Sequence, residues 1–241
     1  RYDLDALDRA FTAGGHLLVL CNPHNPIGRV LTRDEMLEIS EVVARHDGRV
    51  FADEIHAPLV YPGHRHVPYA SLSEVTAAHT ITATSASKAW NLPGLKCAQM
   101  IFSNEADLET WFQVSGYTEY GTSNLGLVAN TAAYAAGGPW LDEVIGYLDG
   151  NRRHLAELLA EHLPQVRYTP PEGTYLAWLD CRELDLDGSP ADFFADRADV
   201  VLTDGAACGE AGVGFVRFNF ATPRPIMRLA VERMAKALSE R

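Results

Sequence analysis

The sequence predicts an α/β chain in which a mostly parallel sheet, covered by helices on both faces, is followed by a smaller α+β domain. Three observations predict it. Residues 1–100 alternate short apolar runs with amphipathic stretches, the pattern of parallel strands joined by crossover helices. Polar and charged residues gather just after those runs, at Asn25, at Asp53 and His56, and at Ser85 and Lys88. Beyond Pro164 the long amphipathic pattern gives way to short strand-like runs separated by helices.

In chain order, His16 to Cys21 (HLLVLC) reads as a buried strand ended by the turn-forming NPHNPIG. Thr32 with Glu35 three residues on is a capping box. It opens a helix with Met36, Leu37, Ile39, Val42 and Val43 on one side, which Gly48 is expected to end. Arg49 to Asp53 (RVFAD) is the next strand and delivers Asp53, Glu54 and His56 from its C-terminal end. His79 to Thr84 is a third strand, followed by the loop SASKAWNLPGLK, and Ala98 to Phe102 continues the sheet. Helices are expected over 105–114 and 125–136, and a long amphipathic helix from Pro139 to about His162. Strands at 174–179, 200–203 and 215–220 then alternate with helices near 190–197 and 224–239. This places a large domain at 1–139 and a small one, with the long helix, at 140–241.

Composition narrows the function. The 241 residues hold 20 Lys plus Arg against 32 Asp plus Glu, a formal charge of −12. That balance argues against nucleic acid or an anionic membrane surface as partner. Cys21, Cys97, Cys181 and Cys208 are scattered without a C-x-x-C pair, so a disulfide framework or zinc site is not expected and a reducing cytoplasm fits. His64 and His66 form an H-x-H without acidic or thiol ligands at suitable spacing, and no metal is expected there. Trp140, Tyr147 and Tyr134 are expected to pack helices, and the charged stretch from Asp180 to Asp187 to be a solvated loop. No signal-peptide pattern or membrane-length apolar run is present.

Taken singly, the chemical candidates have bland readings. Lys88 could be a solvated charge, Asn25 a turn residue, Asp53 a helix cap, His56 a satisfied histidine and Arg217 a surface strand arginine. The ordered combination is another matter. NPHNPIG (22–28), DEIH (53–56), SASK (85–88) and GFVRFN (214–219) together resemble the motifs of the fold-type I enzymes that use pyridoxal 5′-phosphate (PLP), the aspartate aminotransferase superfamily. The wording ADEIHAPLVYPGHRHVPYASLS and SASKAWNLPGLKCA looks most like the MalY/PatB group of cystathionine β-lyase-like C–S lyases.

That resemblance implies a PLP-dependent transferase-like large domain, and a role for each matched residue. Lys88 bonds covalently to the cofactor and removes the substrate α-proton, a task suited to a lysine whose pKa is lowered by a cationic neighbour. Asp53 pairs with the pyridine nitrogen. Asn25 donates to the cofactor's phenolic oxygen, near which His56 stands where many relatives have tyrosine. Ser85 and Lys96 hold the phosphate, and Arg217 clamps the substrate carboxylate. Thr122, Ser123 and Asn124 lie where relatives reach a neighbouring subunit's phosphate, although GTSN is equally a helix cap. The implied reaction is α,β-elimination from cystathionine or another cysteine S-conjugate by a homodimer. The alternatives are an aminotransferase and a non-catalytic or regulatory protein on the same scaffold. The chain opens on Arg1 rather than Met, and the resemblance implies further N-terminal strands and a phosphate cup ahead of it.

Overall fold

The computed structural model describes residues 2–241; Arg1, on which the expectation of a preceding segment rests, lies outside them. The chain divides into two compact units. The first comprises residues 1–23 and 30–142, the second residues 24–29 and 143–241.

The first unit contains α1 (Leu4–Thr12), β1 (Leu17–Cys21), α2 (Arg33–Arg45), β2 (Arg49–Asp53), α3 (Glu74–His79), β3 (Thr80–Thr84), α4 (Ala86–Ala89), β4 (Gln99–Phe102), α5 (Glu105–Val114) and α6 (Asn124–Ala136). Its sheet runs β1-β2-β3-β4; the first three strands are parallel and β4 is antiparallel to β3. The capping box forms as its spacing requires: Thr32 Oγ1 accepts from Glu35 N at 3.3 Å and Glu35 Oε2 accepts from Thr32 N at 3.0 Å. Met36, Ile39, Val42 and Val43 then face Leu20, Val50 and Ala52 in one apolar cluster. Burial of side chains of this size contributes about 1.5–3 kcal/mol each. Strand residues alternate between faces, so Val19, Phe51, Ile81 and Phe102, which pair across the sheet, lie opposite that cluster. Trp111 of α5 packs on Phe102, and Arg49 is ion-paired with Asp107 of the same helix. Helix α5 thus meets that second face, on which Val19 of β1 stays 62% exposed.

The second unit contains β5 (Arg167–Tyr168), β6 (Leu176–Asp180), α8 (Pro190–Ala198), β7 (Thr203–Asp204), β8 (Phe215–Asn219) and α9 (Arg224–Ser239). The division between units falls within α7 (Gly138–His162). Its sheet is antiparallel, in the order β5-β6-β8-β7. Leu179, Val216, Phe218, Phe194, Met227, Val231 and Met234 supply its buried apolar side chains.

Several expectations are corrected. The strand expected at 200–203 is confined to Thr203–Asp204, and Val201 is 86% exposed; Asp199 adopts φ +51° at the end of α8, so the β-branched run leaves that helix through a turn. Helix α2 ends at Arg45, ahead of Gly48, because Asp47 takes the left-handed conformation first. The loop after β3 contains α4 and a 3₁₀ turn at Pro93–Leu95. Tyr134, Trp140 and Tyr147 are each nearly half exposed, yet the Tyr134 ring meets Trp90 edge-on at 5.2 Å and the Tyr147 ring lies 5.4 Å from the Arg224 guanidinium. Asp180 is a strand residue that grips Arg182 through both carboxylate oxygens, at 2.8 and 2.7 Å. This fork pulls its carboxyl below the ordinary range. Cys97 and Cys181 are buried, Cys21 is partly buried and Cys208 is exposed, all as free thiols.

Candidate functional site

In the first unit, Asp53, His56, Ser85 and Lys88, four of the residues singled out from sequence, are set by the C-terminal ends of two adjacent parallel strands. Asp53 ends β2 and is paired with Ala83 of β3; Ser85 follows β3 directly and Lys88 lies one helical turn further on, in α4. Ligands of open parallel sheets gather at this edge. The half-buried Asp53 carboxylate accepts a single hydrogen bond among the described residues, from Ile55 N at 3.2 Å. His56 is buried, two residues past Glu54. Lys88 is half buried and its amine makes no hydrogen bond or ion pair among the described residues. Lys96 is exposed, its cation equally unengaged, on a backbone at φ +50°.

Ser85 has a different local job. Its buried hydroxyl donates to Cys97 O at 2.6 Å and accepts from Ser87 N at 3.0 Å, which caps α4 and ties it to the segment ahead of β4. The sequence reading missed a second tie: buried Asn130 of α6 accepts from Ala86 N at 2.9 Å and donates to Gly126 O at 2.9 Å. An asparagine inside an apolar helix was the available signal, since a buried amide there needs partners. Thus α4, which carries Lys88, is held at its first two residues by two separate side chains, Asn130 at Ala86 N and Ser85 at Ser87 N. Ser123 accepts from Gly126 N and caps α6.

A buried network behind Asp53 also went unread. Glu54 Oε1 accepts from Tyr69 N at 2.8 Å and Glu54 Oε2 faces His66 Nε2 at 3.1 Å. The other ring nitrogen of His66 lies 3.4 Å from Asn22 Nδ2, and Asn22 Oδ1 accepts from Leu31 N at 2.9 Å. His66 thus belongs to a carboxylate pair, and no His, Cys, Asp and Glu group suited to a metal occurs among the described residues.

In the second unit the structure brings Asn25 and Arg217 together: Arg217 Nη1 donates to Asn25 Oδ1 at 2.9 Å. Asn25 rides on a turn closed by Gly28 N donating to His24 O at 2.6 Å and His24 N donating to Arg29 O at 2.8 Å. Gly28 O accepts from both Glu172 N and Gly173 N at 2.9 Å, which docks the turn on the loop ahead of β6. Gly28 has φ +68°, and a Cβ there would sit 2.2 Å from Pro171 Cβ, so this position needs glycine on both counts. Arg217 projects from the middle of β8 and is half buried. No carboxylate pairs with it among the described residues.

A PLP-type cofactor would require an unengaged amine to bond to its aldehyde, a carboxylate for its pyridinium nitrogen, and donors for its phosphate. Lys88, Asp53 and Lys96 are free to supply these, so the donor set fits.

Comparison with known proteins agrees. The profile of the family Aminotransferase class I and II matches residues 1–234. Over 98% of its length the chain is 43% identical to a cystathionine β-lyase of Corynebacterium glutamicum, and covers 63% of that protein. It is 35% identical to cystathionine β-lyase PatB of Bacillus subtilis, with 92% of this chain and 58% of that one aligned. Cystalysin from Treponema denticola, solved with a pyridoxal 5′-phosphate cofactor, superposes with a TM-score of 0.93 at 33% identity over 100% of this chain and 62% of its own. The chain spans just under two thirds of the length of the curated relatives it matches.

Proposed function

Since the chain belongs to the class I and II aminotransferase family, we propose that it serves a PLP-dependent C–S β-lyase acting on cystathionine or related cysteine S-conjugates. The observation that carries this reading is the unengaged Lys88 amine and the nearly unengaged Asp53 carboxylate, delivered by adjacent parallel strand ends in a chain 43% identical to a cystathionine β-lyase.

Bound PLP supplies an electron sink for the charge left at the substrate's α-carbon. The protein's own residues do the rest. Asp53 keeps the pyridine nitrogen protonated by offering it a carboxylate oxygen. Lys88 Nζ takes the α-proton and holds it, while Arg217 fixes the substrate carboxylate with its planar fork. In this reading Asn25 and His56 would serve the cofactor's phenolic oxygen, and Lys96 and Ser85 would serve its phosphate. Loss of the α-proton and of thiolate from Cβ, followed by hydrolysis, yields pyruvate, ammonia and a thiol. An aminotransferase is the second reading, favoured by the family profile itself, because both reactions begin with the same proton removal.

A homodimer in the cytoplasm completes the proposal. Phe112, Tyr117, Tyr120, Leu125 and Val128 of the first unit are 68–89% exposed, as 71, 89, 82, 73 and 68% respectively. Exposed apolar side chains of this size favour an interface, and four free thiols suit a reducing compartment. Among the described residues no helix is long and apolar enough to cross a membrane.

The test is a PLP titration followed by visible absorbance, with borohydride trapping located by peptide mapping, then pyruvate release from L-cystathionine. Trapping on Lys88 that Lys88→Ala abolishes, together with pyruvate release, supports the lyase. Keto-acid-dependent amino transfer without pyruvate release would select the aminotransferase. Failure to bind PLP would overturn both for this chain.

A further inference from the structure

Arg217 of β8 is the direct cross-strand partner of Thr203 on β7 and of Trp178 on β6. Residues directly opposite in antiparallel strands share a face, so Trp178, Arg217 and Thr203 form one row across the sheet. Within that row Arg217 Nη2 donates to Thr203 Oγ1 at 3.2 Å, while Nη1 donates to Asn25 Oδ1 at 2.9 Å. The two ends of the fork are thus held by acceptors far apart in sequence. A guanidinium carries five N–H groups; two are engaged here, and no carboxylate neutralises the charge among the described residues.

We infer that Thr203 is a positioning residue, whose hydroxyl holds the Arg217 fork in the orientation that presents its remaining N–H groups to a substrate carboxylate. This rests on the reading of Arg217 as the carboxylate holder. The fold itself makes little use of that hydroxyl. Thr203 is already tied to β8 through the backbone ladder, and the 3₁₀ turn that follows is capped by Asp204, whose carboxylate accepts from Ala206 N at 3.2 Å. Valine would keep the β-branched shape that β7 needs while removing the acceptor. Without it, one end of the fork would turn toward water in this half-buried setting, and the ligand would have to immobilise it on binding.

The test compares Thr203→Val, Thr203→Ser and Arg217→Lys with the parent protein. Two measurements are made: kcat and KM for pyruvate release from L-cystathionine in the PLP-loaded protein, and the Arg217 guanidinium NMR signals of the chain without substrate or cofactor. Thr203→Val is expected to raise KM by about five- to tenfold, the scale of one hydrogen bond, with kcat within about twofold. It should also speed rotation of the Arg217 fork, and Thr203→Ser should restore both. A Thr203→Val protein with unchanged Arg217 signals overturns the inference, as does equal impairment in Thr203→Ser, which would indicate packing. If Arg217→Lys leaves KM unaltered, the carboxylate reading falls and Thr203 falls with it. If Arg217→Lys raises KM and Thr203→Val does not, Thr203 alone is refuted.

Discussion

Replacing His66 by alanine should destabilise the first unit by about 2–3 kcal/mol without touching any strand of its sheet. Glu54 and His66 side chains are only 6% and 9% exposed and meet at 3.1 Å. Removing the imidazole leaves Glu54 Oε2 buried without that partner, while Oε1 keeps its 2.8 Å bond from Tyr69 N. Stranding one buried acceptor costs about 1–3 kcal/mol, more for a carboxylate. The retained bond argues for less than the 3–5 kcal/mol typical of wholly broken buried pairs. The 3.4 Å contact from His66 to Asn22 is too long to add much. For a chain of this size the loss corresponds to a fall in Tm of roughly 5–10 °C, readable by calorimetry. Glu54→Gln, His66→Ala and the double variant form a cycle in which the double should cost clearly less than the sum of the singles. Additive losses, or a His66→Ala protein within about 0.5 kcal/mol of the parent, would show that this network does not hold the segment behind Asp53.

Stability should also depend on pH near neutrality. Burial, and secondarily the Arg49 charge, hold His79 below its ordinary value of 6.5, and burial does the same to His24. As pH falls through about 6.5 the unfolded chain takes up these protons first. Stability is therefore full above that pH and declines below it, until the folded values are reached. Denaturant midpoints between about pH 5 and 7.5 should show this slope, and His79→Gln should flatten it; an unchanged slope would remove His79 as a source. Burial, helped by Asp180, pushes the Cys181 thiol up to about 12, whereas Cys208 is exposed. A thiol reagent at neutral pH should label Cys208 in the native chain and Cys181 only after denaturation, and comparable rates would contradict the packing. Gly28→Ala should cost about 2–4 kcal/mol in the second unit, from the positive φ and the contact with Pro171; a neutral effect in chemical denaturation would mean that the turn is not docked as described.

What was legible in the sequence was chiefly local. The capping box at Thr32, the apolar face of α2 and the strand RVFAD each carry their signal within one or two turns of chain, and the structure repeats them nearly residue for residue. Short elements were harder. Helix α3 has only six residues, too few for a 3.6-residue period to show. The VVLT run looked like a strand because β-branched propensity was weighed without the Asp199 turn ahead of it. For the candidate site, motif order singled out Asp53, Ser85 and Lys88 because Asp53 ends β2 and the other two follow β3 within four residues. The partners that hold such residues were silent: Asn130 reaches Ala86 across 44 positions and Asn25 reaches Arg217 across 192. Thr203 looked like ordinary strand material, since its contact exists only once β7 and β8 are in register.

The hexapeptide at 24–29 has a consequence for how this chain can be divided. It belongs to the second unit yet is spliced between two stretches of the first. The backbone therefore changes unit three times, at 23/24, at 29/30 and at 142/143. No single cut yields two self-sufficient halves. A C-terminal piece beginning at 143 would leave Glu172 N and Gly173 N without Gly28 O, and Arg217 without Asn25. Supplying the missing turn as a separate peptide would burden it with the entropy of association, whereas the intact chain holds it at a high effective concentration. The second unit can thus complete its fold only after a segment synthesised more than a hundred residues earlier has been kept available to it, which makes the two units partners in assembly rather than beads on a string.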